Sequence, residues 1–599
     1  MLSAYAKRNH RGNMNTVLRL LKHYKKEAFF APFFKLVEAL FELIVPLVIA
    51  DIIDIGIVSG DNSYILKKGL VLIGLAAAGL TVSITAQFFA AKAAVGVSGT
   101  LRKKLFSKIM SMDATDVDRV GTSTLITRMT SDIGQVQTGI NMSLRLLLRS
   151  PIIVFGAMIM AFTIDVNLAL VFCVAVPVLA FIVIAITRYS IPMFSGVQKR
   201  LDHVMRSSRE NLTGVRVIRA FNLQDDEKKN FREKNEVLKT SQVKASNFTS
   251  LTNPVTFIVV NAATMVLIYK GAIRVDLGII SQGQAVAVLN YMSQILVELL
   301  KLTNLIVTIT KSIASAERVS LVLEGEGGKE VGTGGRFSRS NDSPERENRP
   351  SVPHDGYVVF DHVSLRYNPS SEDVLTDISF SVPKGSVVGV IGGTGSGKSS
   401  LINLIPGMYQ ATTGDIYVDG KNVKAYEEKE LRSKCGIVPQ KAVLFKGDIR
   451  SNMKIGGDAS DENMRECLRK AQALDFVDEK GGLDAEVLQN GKNFSGGQKQ
   501  RLTIARALVR HPEILILDDS TSALDFLTEK NIREEIAKIT DTTVFIVSQR
   551  ASSVMHADTI IVLDDGKAVG IGTHEELLKN CSIYDEIYYS QFERKEAAV

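Results

Sequence analysis

The sequence predicts a multi-domain chain: an all-α transmembrane domain of six helices with long cytoplasmic extensions, followed by an α/β domain built on a mainly parallel sheet. Three observations predict it. Apolar residues cluster before about residue 312, in stretches close to the length a membrane-crossing helix needs. After Tyr357, short β-rich runs (YVVF, SVVGVIG, CGIVPQ, ILILDD, TVFIVS) alternate with helical patterns. Between the two, Gly325 to Gly356 turns to Gly, Ser, Asn, Pro and charged residues, a composition that cannot bury enough apolar surface to fold alone.

At 599 residues the chain exceeds one ordinary globular core. Its 46% hydrophobic share, beside a normal 23% of charged residues, means that the apolar residues are clustered rather than spread. A net charge of +7 would suit nucleic acid, but Lys and Arg flank apolar segments, as membrane topology requires, and no nucleic-acid partner is expected. Cys173, Cys435, Cys467 and Cys581 form no CxxC or Cys/His cluster, which excludes a zinc site or a disulfide framework. The basic start (Lys7, Arg8, Arg11) runs into polar sequence rather than a short apolar core, so a signal peptide is not expected and the N-terminus is placed on the cytoplasmic side.

The six apolar stretches are Ala28 to Ile57, Gly69 to Val95, Leu146 to Ile164, Leu168 to Ile186, Pro254 to Ile273 and Ala285 to Ile309. The third starts beside Arg145 and Arg149, whose side chains can snorkel to the interface. Little more than Asp165, Val166 and Asn167 joins the third to the fourth, whereas about fifty to seventy polar, helix-prone residues separate the second from the third and the fourth from the fifth. Both insertions are basic (Arg102, Lys103, Lys104, Lys108; Lys199, Arg200, Arg206, Arg209, Arg216, Arg219), which places them in the cytoplasm. Asn15 to Tyr24 has the pattern of an amphipathic helix at the inner interface. The expected organisation is an interfacial segment 1–26, a transmembrane domain 27–324, a linker 325–356 and a nucleotide-binding domain 357–599.

The last assignment rests on motifs. Gly392-Gly-Thr394-Gly395-Ser396-Gly397-Lys398-Ser399 fits GxxxxGK[ST] between the apolar strand Val387 to Ile391 and a helical run from Ser400. Glycines let backbone N–H groups wrap phosphates, the lysine reaches the β/γ-phosphates, and the serine hydroxyl can hold Mg²⁺. Ile514-Leu-Ile-Leu-Asp518 is a buried-strand run ending in a carboxylate, as expected of a magnesium ligand, although alone it would be an ordinary strand end. The segment Phe494-Ser495-Gly496-Gly497-Gln498-Lys499-Gln500-Arg501 precedes it; taken by itself, it could be a glycine turn with Ser495 capping a helix.

That segment resembles the signature motif of ATP-binding cassette (ABC) proteins, and the resemblance covers the whole chain. It implies an α/β P-loop nucleotide-binding domain that uses ATP and Mg²⁺, two cassettes dimerising head to tail, and Ser495, Gly496, Gly497 and Gln498 completing the partner's ATP site. By the same resemblance Tyr367 matches the residue that stacks on adenine, Ser400 joins the phosphate loop, Gln440 matches the Q-loop with a place beside Ser399 and Asp518 at the metal, and Asp525 matches the D-loop. Alone, Tyr367 could be a packed strand residue and Gln440 a solvated one. The membrane half resembles the exporter branch, whose coupling helices would fall around Thr130 to Val136 and Phe221 to Asp226.

Two positions depart from the family pattern. Where the family has Glu, the base for the attacking water, this chain has Asp519; where it has the switch histidine, this chain has Gln549. One methylene less withdraws the carboxylate by about an ångström, and misplacement of that order costs about 10²-fold in rate. Glutamine can bond the γ-phosphate but cannot share protons as imidazole does. Gln489 also stands where Glu is common. The intact signature beside a degenerate Walker site resembles one subunit of the bacterial heterodimeric multidrug exporters. The expectation is an ABC-type transport ATPase in the plasma membrane, exporting a drug-like, lipid or peptide substrate with a second half-transporter chain. The alternative is a nucleotide-sensing regulatory subunit without transport. Gln294, Glu298 and Asn304 are candidate pathway residues, with a Glu298–Lys301 pair as the plainer reading, and Asp51 and Asp54 are either an external gate or simply solvated.

Overall fold

The computed structural model describes residues 19–324, 355–367 and 371–593. The expected linker, apart from Asp355 and Gly356, and the interfacial segment before Arg19 lie outside them. The described residues form two compact units, one running to residue 112 and from 120 to 324, the other joining 113–119 to the residues from 355 on.

The first unit is helical: α1 (Lys25–Asp51), a π-turn (Ile52–Ile57), α2 (Asn62–Met110), α4 (Thr122–Thr127), a π-turn (Arg128–Asp132), α5 (Ile133–Leu146), α6 (Arg149–Ile164), α7 (Val166–Thr213), α8 (Val215–Ala220), α9 (Gln224–Ser250), α10 (Thr252–Asp276) and α11 (Gln282–Leu323); α3 (Ala114–Val120) links α2 to α4. Five continuous helical stretches among the described residues are long and apolar enough to cross a membrane: Asn62–Met110, Thr122–Ile164, Val166–Thr213, Gln224–Asp276 and Gln282–Leu323. The remaining expected span is helical as α1, but Lys35, Glu38, Glu42 and Asp51 dilute its hydropathy. Along α2, Leu66, Leu70, Ile73, Leu80, Ile84 and Phe88 are 60–68% exposed, an apolar outer face that suits lipid. Asp61 caps the start of α2 by accepting from Ser63 and Tyr64, and Ser281 with Gln284 forms a capping box at α11.

Buried charge in this unit is paired. Arg149, at the start of α6, donates to Glu42 of α1 at 2.7 Å and to Glu298 of α11 at 2.8 Å, and Ser150 donates to the second oxygen of Glu298 at 2.7 Å. Lys301 reaches Glu298 at 2.7 Å, so the expected pair exists, but within a larger three-helix network. Arg149, expected to snorkel, is instead 6% exposed. Removing one partner of such a network strands the rest, at a cost of several kcal/mol. Gln294 borders it, its amide oxygen buried without a partner among the described residues, on a cavity of about 450 Å³. Asn304 lines a larger cavity of about 1080 Å³ with Ser190, Thr249 and Asn253. Asp51 and Asp54 are not merely solvated: Lys68 donates to Asp51 at 2.6 Å, and Asp54 accepts from the Gly283 amide at 2.7 Å and from the Ser281 hydroxyl.

The first of the two expected coupling-helix places falls within the membrane unit. Thr130 to Val136 belong to the membrane unit, where Asp132 is 3% exposed and accepts from Arg128 at 2.7 Å and Arg318 at 3.1 Å. Residues 113–119, most of α3, instead group with the second unit, and there Asp118 accepts a 2.7 Å bond from Tyr409. The second place, Phe221 to Asp226, spans the turn between α8 and α9, with Phe221 72% exposed.

The second unit has two main sheets. An antiparallel one runs β2-β1-β4-β5, from β1 (Val358–Leu365), β2 (Leu375–Val382), β4 (Thr413–Val418) and β5 (Lys421–Asn422). The larger runs β12-β11-β3-β10-β9-β6, from β3 (Val387–Gly392), β6 (Cys435–Val438), β9 (Ile514–Asp518), β10 (Thr543–Val547), β11 (Thr559–Asp564) and β12 (Lys567–Gly572). It is parallel except for β12. A short pair, β7 (Gly447–Asp448) and β8 (Glu486–Val487), stands apart. β9 and β10 are buried at every position, which is why their sequences are unbroken apolar runs rather than alternating ones. The helices used below are α12 (Lys398–Leu404), α13 (Glu428–Lys434), α14 (Ile449–Lys454), α15 (Asp461–Lys470), α16 (Leu474–Glu479), α17 (Gly496–Leu508), α18 (Phe526–Ala537), α19 (Ala551–Val554), α20 (His574–Asn580) and α21 (Ser582–Tyr589).

Candidate nucleotide-binding site

In a parallel sheet, ligands gather beyond the carboxyl ends of the strands. Neighbouring strands β3, β10 and β9 end here in Gly392, Val547 and Asp518, and the predicted phosphate-loop residues, Asp518, Asp519 and Gln549 lie at or just beyond those ends. The loop after β3 runs straight into α12, so the helix N-terminus and its free amides face whatever the loop holds. Gly397 is left-handed (φ 93°), a backbone that strains any residue with a side chain, and a Cβ there would crowd Leu375 at 2.7 Å and the Val374 carbonyl at 3.0 Å. At Gly393 and Gly395 a Cβ would meet nothing within 4 Å, leaving an open cradle.

Lys398 spans that cradle, donating to the carbonyls of Gly392 at 2.9 Å and Gly393 at 2.6 Å. Burial holds its ammonium below the ordinary lysine range, against the pull of the Asp519 and Asp518 carboxylates. An anion in the loop would relieve that penalty. Ser399 donates to Asp518 at 2.9 Å, so a hydroxyl and a carboxylate converge from α12 and β9. Burial pushes the Asp518 carboxyl up, opposed by the Ser399 bond. Two such oxygens beside a phosphate loop fit the hard-oxygen ligand set of Mg²⁺. Ser396 is 4% exposed, within the loop. Tyr367 donates to Ser400 at 2.9 Å and meets Tyr409 edge-on at 4.9 Å, so its ring stands beside the loop rather than within a strand.

The residues that depart from pattern sit at the same strand ends. Asp519 has left-handed backbone (φ 43°), a conformation Asp enters more readily than longer side chains, and its N–H bonds the Val547 carbonyl at 3.0 Å. Gln440 donates to its carboxylate at 3.3 Å. Gln549 is exposed just after β10. Asp525 caps α18, accepting from the Thr528 amide at 3.0 Å, and this bond holds its carboxyl below the usual range. Ser495 caps α17 in a box with Gln498: it accepts from the Gln498 amide at 3.2 Å, and its own N–H donates to the Gln498 side chain at 3.0 Å. The capping reading of Ser495 is therefore realised in the fold. The phosphate-loop helix α12 packs on β3, β9 and β10, whereas α17 packs on α14, α15, β6 and β9.

Two residues outside the motifs also touch this corner. Glu529 of α18 accepts from Thr521 at 3.1 Å and Ser553 at 2.5 Å, and Gln591, past α21, bonds the backbone on both sides of Arg550. No motif marks either one; Glu529 carries only the signal of a carboxylate on the buried side of a helix, at 6% exposure.

Comparison with known proteins agrees with this architecture. The model of the ABC transporter transmembrane region matches residues 28–299, and the ABC transporter model matches 375–522. An uncharacterized ABC transporter ATP-binding protein of Bacillus subtilis (strain 168), YfiB, is 36% identical over 584 residues, covering 97% of this chain and 99% of the relative. The putative multidrug export ATP-binding/permease protein YgaD of the same organism is 31% identical over 601 residues, covering 97% of this chain and 99% of YgaD. The structure of a bacterial Atm1-family ABC exporter with ATP bound superposes with a TM-score of 0.73 at 22% identity over 94% of this chain and 99% of that one, which shows a shared fold. A membrane unit fused to a cassette whose phosphate loop, aspartate and signature stand as above makes this chain a member of the ABC transporter family, a membrane-embedded transport ATPase that binds ATP.

Proposed function

We propose that the chain is one half of a heterodimeric exporter in the plasma membrane, with its cassette and N-terminus cytoplasmic, that moves a drug-like, lipid or peptide substrate outward. Its own Walker site binds ATP and hydrolyses it slowly, while its signature serves a partner chain that carries the usual Glu and His. The observation that carries this reading is the pair Asp519 and Gln549 in an otherwise intact site. Lys398 and the loop amides hold the phosphates, Tyr367 takes the adenine, and Ser399, Asp518 and Gln440 hold Mg²⁺, which supplies charge neutralisation at the β/γ-phosphates. Asp519 lies too far back to position water well, and Gln549 holds the γ-phosphate without passing a proton. The exposed Ser495 and Gly496 suit a nucleotide carried by another chain. A homodimer would hold two impaired sites and make a poor pump. Domain limits follow the same reading: membrane domain 27–324, linker 325–356, cassette 357–599.

The test is ATPase activity in the purified full-length chain. Little turnover alone, with substrate-stimulated activity and vesicle uptake once the partner is added, supports the proposal. Robust turnover that survives Asp519→Ala overturns it, and nucleotide binding without uptake by the reconstituted pair would favour a sensing subunit.

A further inference from the structure

We infer that Gln591, near the end of the chain, and Glu529, on the D-loop helix, are positioning residues for Gln549: together they hold the switch loop where its side chain can meet the γ-phosphate. The inference rests on the reading of Gln549 as the switch residue. Gln591 lies just past α21 and spends both ends of its amide on that loop. Its nitrogen donates to the Gln549 carbonyl at 2.9 Å, and its oxygen accepts from the Ala551 N–H at 2.9 Å. The two backbone groups flank Arg550, so a single planar side chain fixes the direction in which residue 549 leaves the strand. Gln591 is itself anchored: the next residue, Phe592, stacks on Tyr588 at 4.7 Å and packs against the core of the unit.

Glu529 holds the other end. One carboxylate oxygen accepts from Ser553 of α19 and from Thr521, two residues beyond Asp519, and the second lies 3.7 Å from Arg550. The segment that follows the magnesium aspartate and the segment that follows the switch are thus tied to one buried anion. On the strand side, Ser548 accepts from the Arg550 N–H at 3.0 Å, and its own N–H bonds the Val390 carbonyl of the phosphate-loop strand at 3.1 Å. The switch loop therefore has three anchors, in the phosphate-loop strand, the D-loop helix and the C-terminal turn. Only the last two depend on side chains outside any family motif.

The consequence is selective. ADP has no γ-phosphate for Gln549, so loosening the loop should weaken ATP and spare ADP. The experiment compares Mg-ATP and Mg-ADP affinities for the full chain in lipid nanodiscs, by competition against a fluorescent ADP analogue, for wild type, Gln549→Ala, Gln591→Ala, Gln591→Glu and Glu529→Gln. Gln591→Glu keeps the acceptor and loses the donor, opposing the Gln549 carbonyl with a carboxylate. Each Gln591 variant is expected to lower the ATP:ADP affinity ratio by roughly fivefold or more, in the same direction as Gln549→Ala. Glu529→Gln, which keeps the acceptor and loses the charge facing Arg550, is expected to lower it less. A ratio within twofold of wild type in both Gln591 variants while Gln549→Ala lowers it overturns the inference, as does an equal loss of both nucleotides, which a merely structural role would produce. If Gln549→Ala leaves the ratio unchanged, the switch reading itself has failed.

Discussion

The phosphate loop and the switch corner lie at the ends of adjacent strands of one sheet, yet they are built differently. Gly392 to Ser399 is held largely from within, Lys398 bonding two loop carbonyls and Gly397 taking a left-handed turn, while Ser399 reaches out to Asp518 of β9. The switch corner is held from outside, by Gln591, Glu529 and the Val390 carbonyl, and it carries Asp519 and Gln549, an acid one methylene shorter than glutamate and a non-titrating amide. On the proposed reading, binding and hydrolysis are therefore separable, and a site can lose the second while keeping the first.

The largest expected effect tests the closed half. Lys398→Ala removes a charge-assisted contact to phosphate, and ATP affinity measured by titration calorimetry should fall about 100-fold. If it falls less than threefold, the loop is not the phosphate site. The open half should respond in the other direction. Asp519→Glu combined with Gln549→His restores the family pattern, and the ATPase rate of the chain should rise at least roughly tenfold; an unchanged rate would place the defect elsewhere in the corner. Ser495→Ala removes the cap of α17 and should destabilise the cassette by about 1 kcal/mol in denaturant melts, besides impairing turnover by the proposed heterodimer.

The smallest effect separates the two demands on one residue. Burial pushes the Asp518 carboxyl up, so its ionised form is less favourable in the folded chain than in the unfolded one. Asp518→Asn should raise the melting temperature of the nucleotide-free cassette by roughly 2–4 °C at neutral pH while abolishing Mg²⁺-dependent ATP binding. Because a raised acid pKa confers stability below it that is lost as pH rises through it, that advantage should shrink as the pH falls. An advantage that persists in acid would point to packing rather than charge.

Much of this was legible in the sequence. The closed half is local: its residues are consecutive, and strand, turn and helix follow one another, so periodicity and a motif suffice. The parallel sheet was legible from unbroken apolar runs such as β9. The positioning residues were not, because Gln591 lies 42 residues from Gln549 and nothing in its neighbours marks it. The buried network around Arg149 was likewise beyond reach, since its partners Glu42 and Glu298 come from helices 107 and 149 residues away. The grouping of α3 with the second unit was not legible either, because its polar residues Thr115, Asp116, Asp118 and Arg119 give no apolar period to find.

The most direct test of the central claim is the nucleotide that stays on this chain. The proposed heterodimer is turned over with excess Mg-ATP in the presence of substrate, passed rapidly through a desalting column, and its bound nucleotide is identified by chromatography after photocrosslinking to the Tyr367-bearing cassette. The account predicts intact ATP on this cassette, at close to one per chain, while its partner releases ADP. Recovery of ADP here, at the partner's rate, would contradict it.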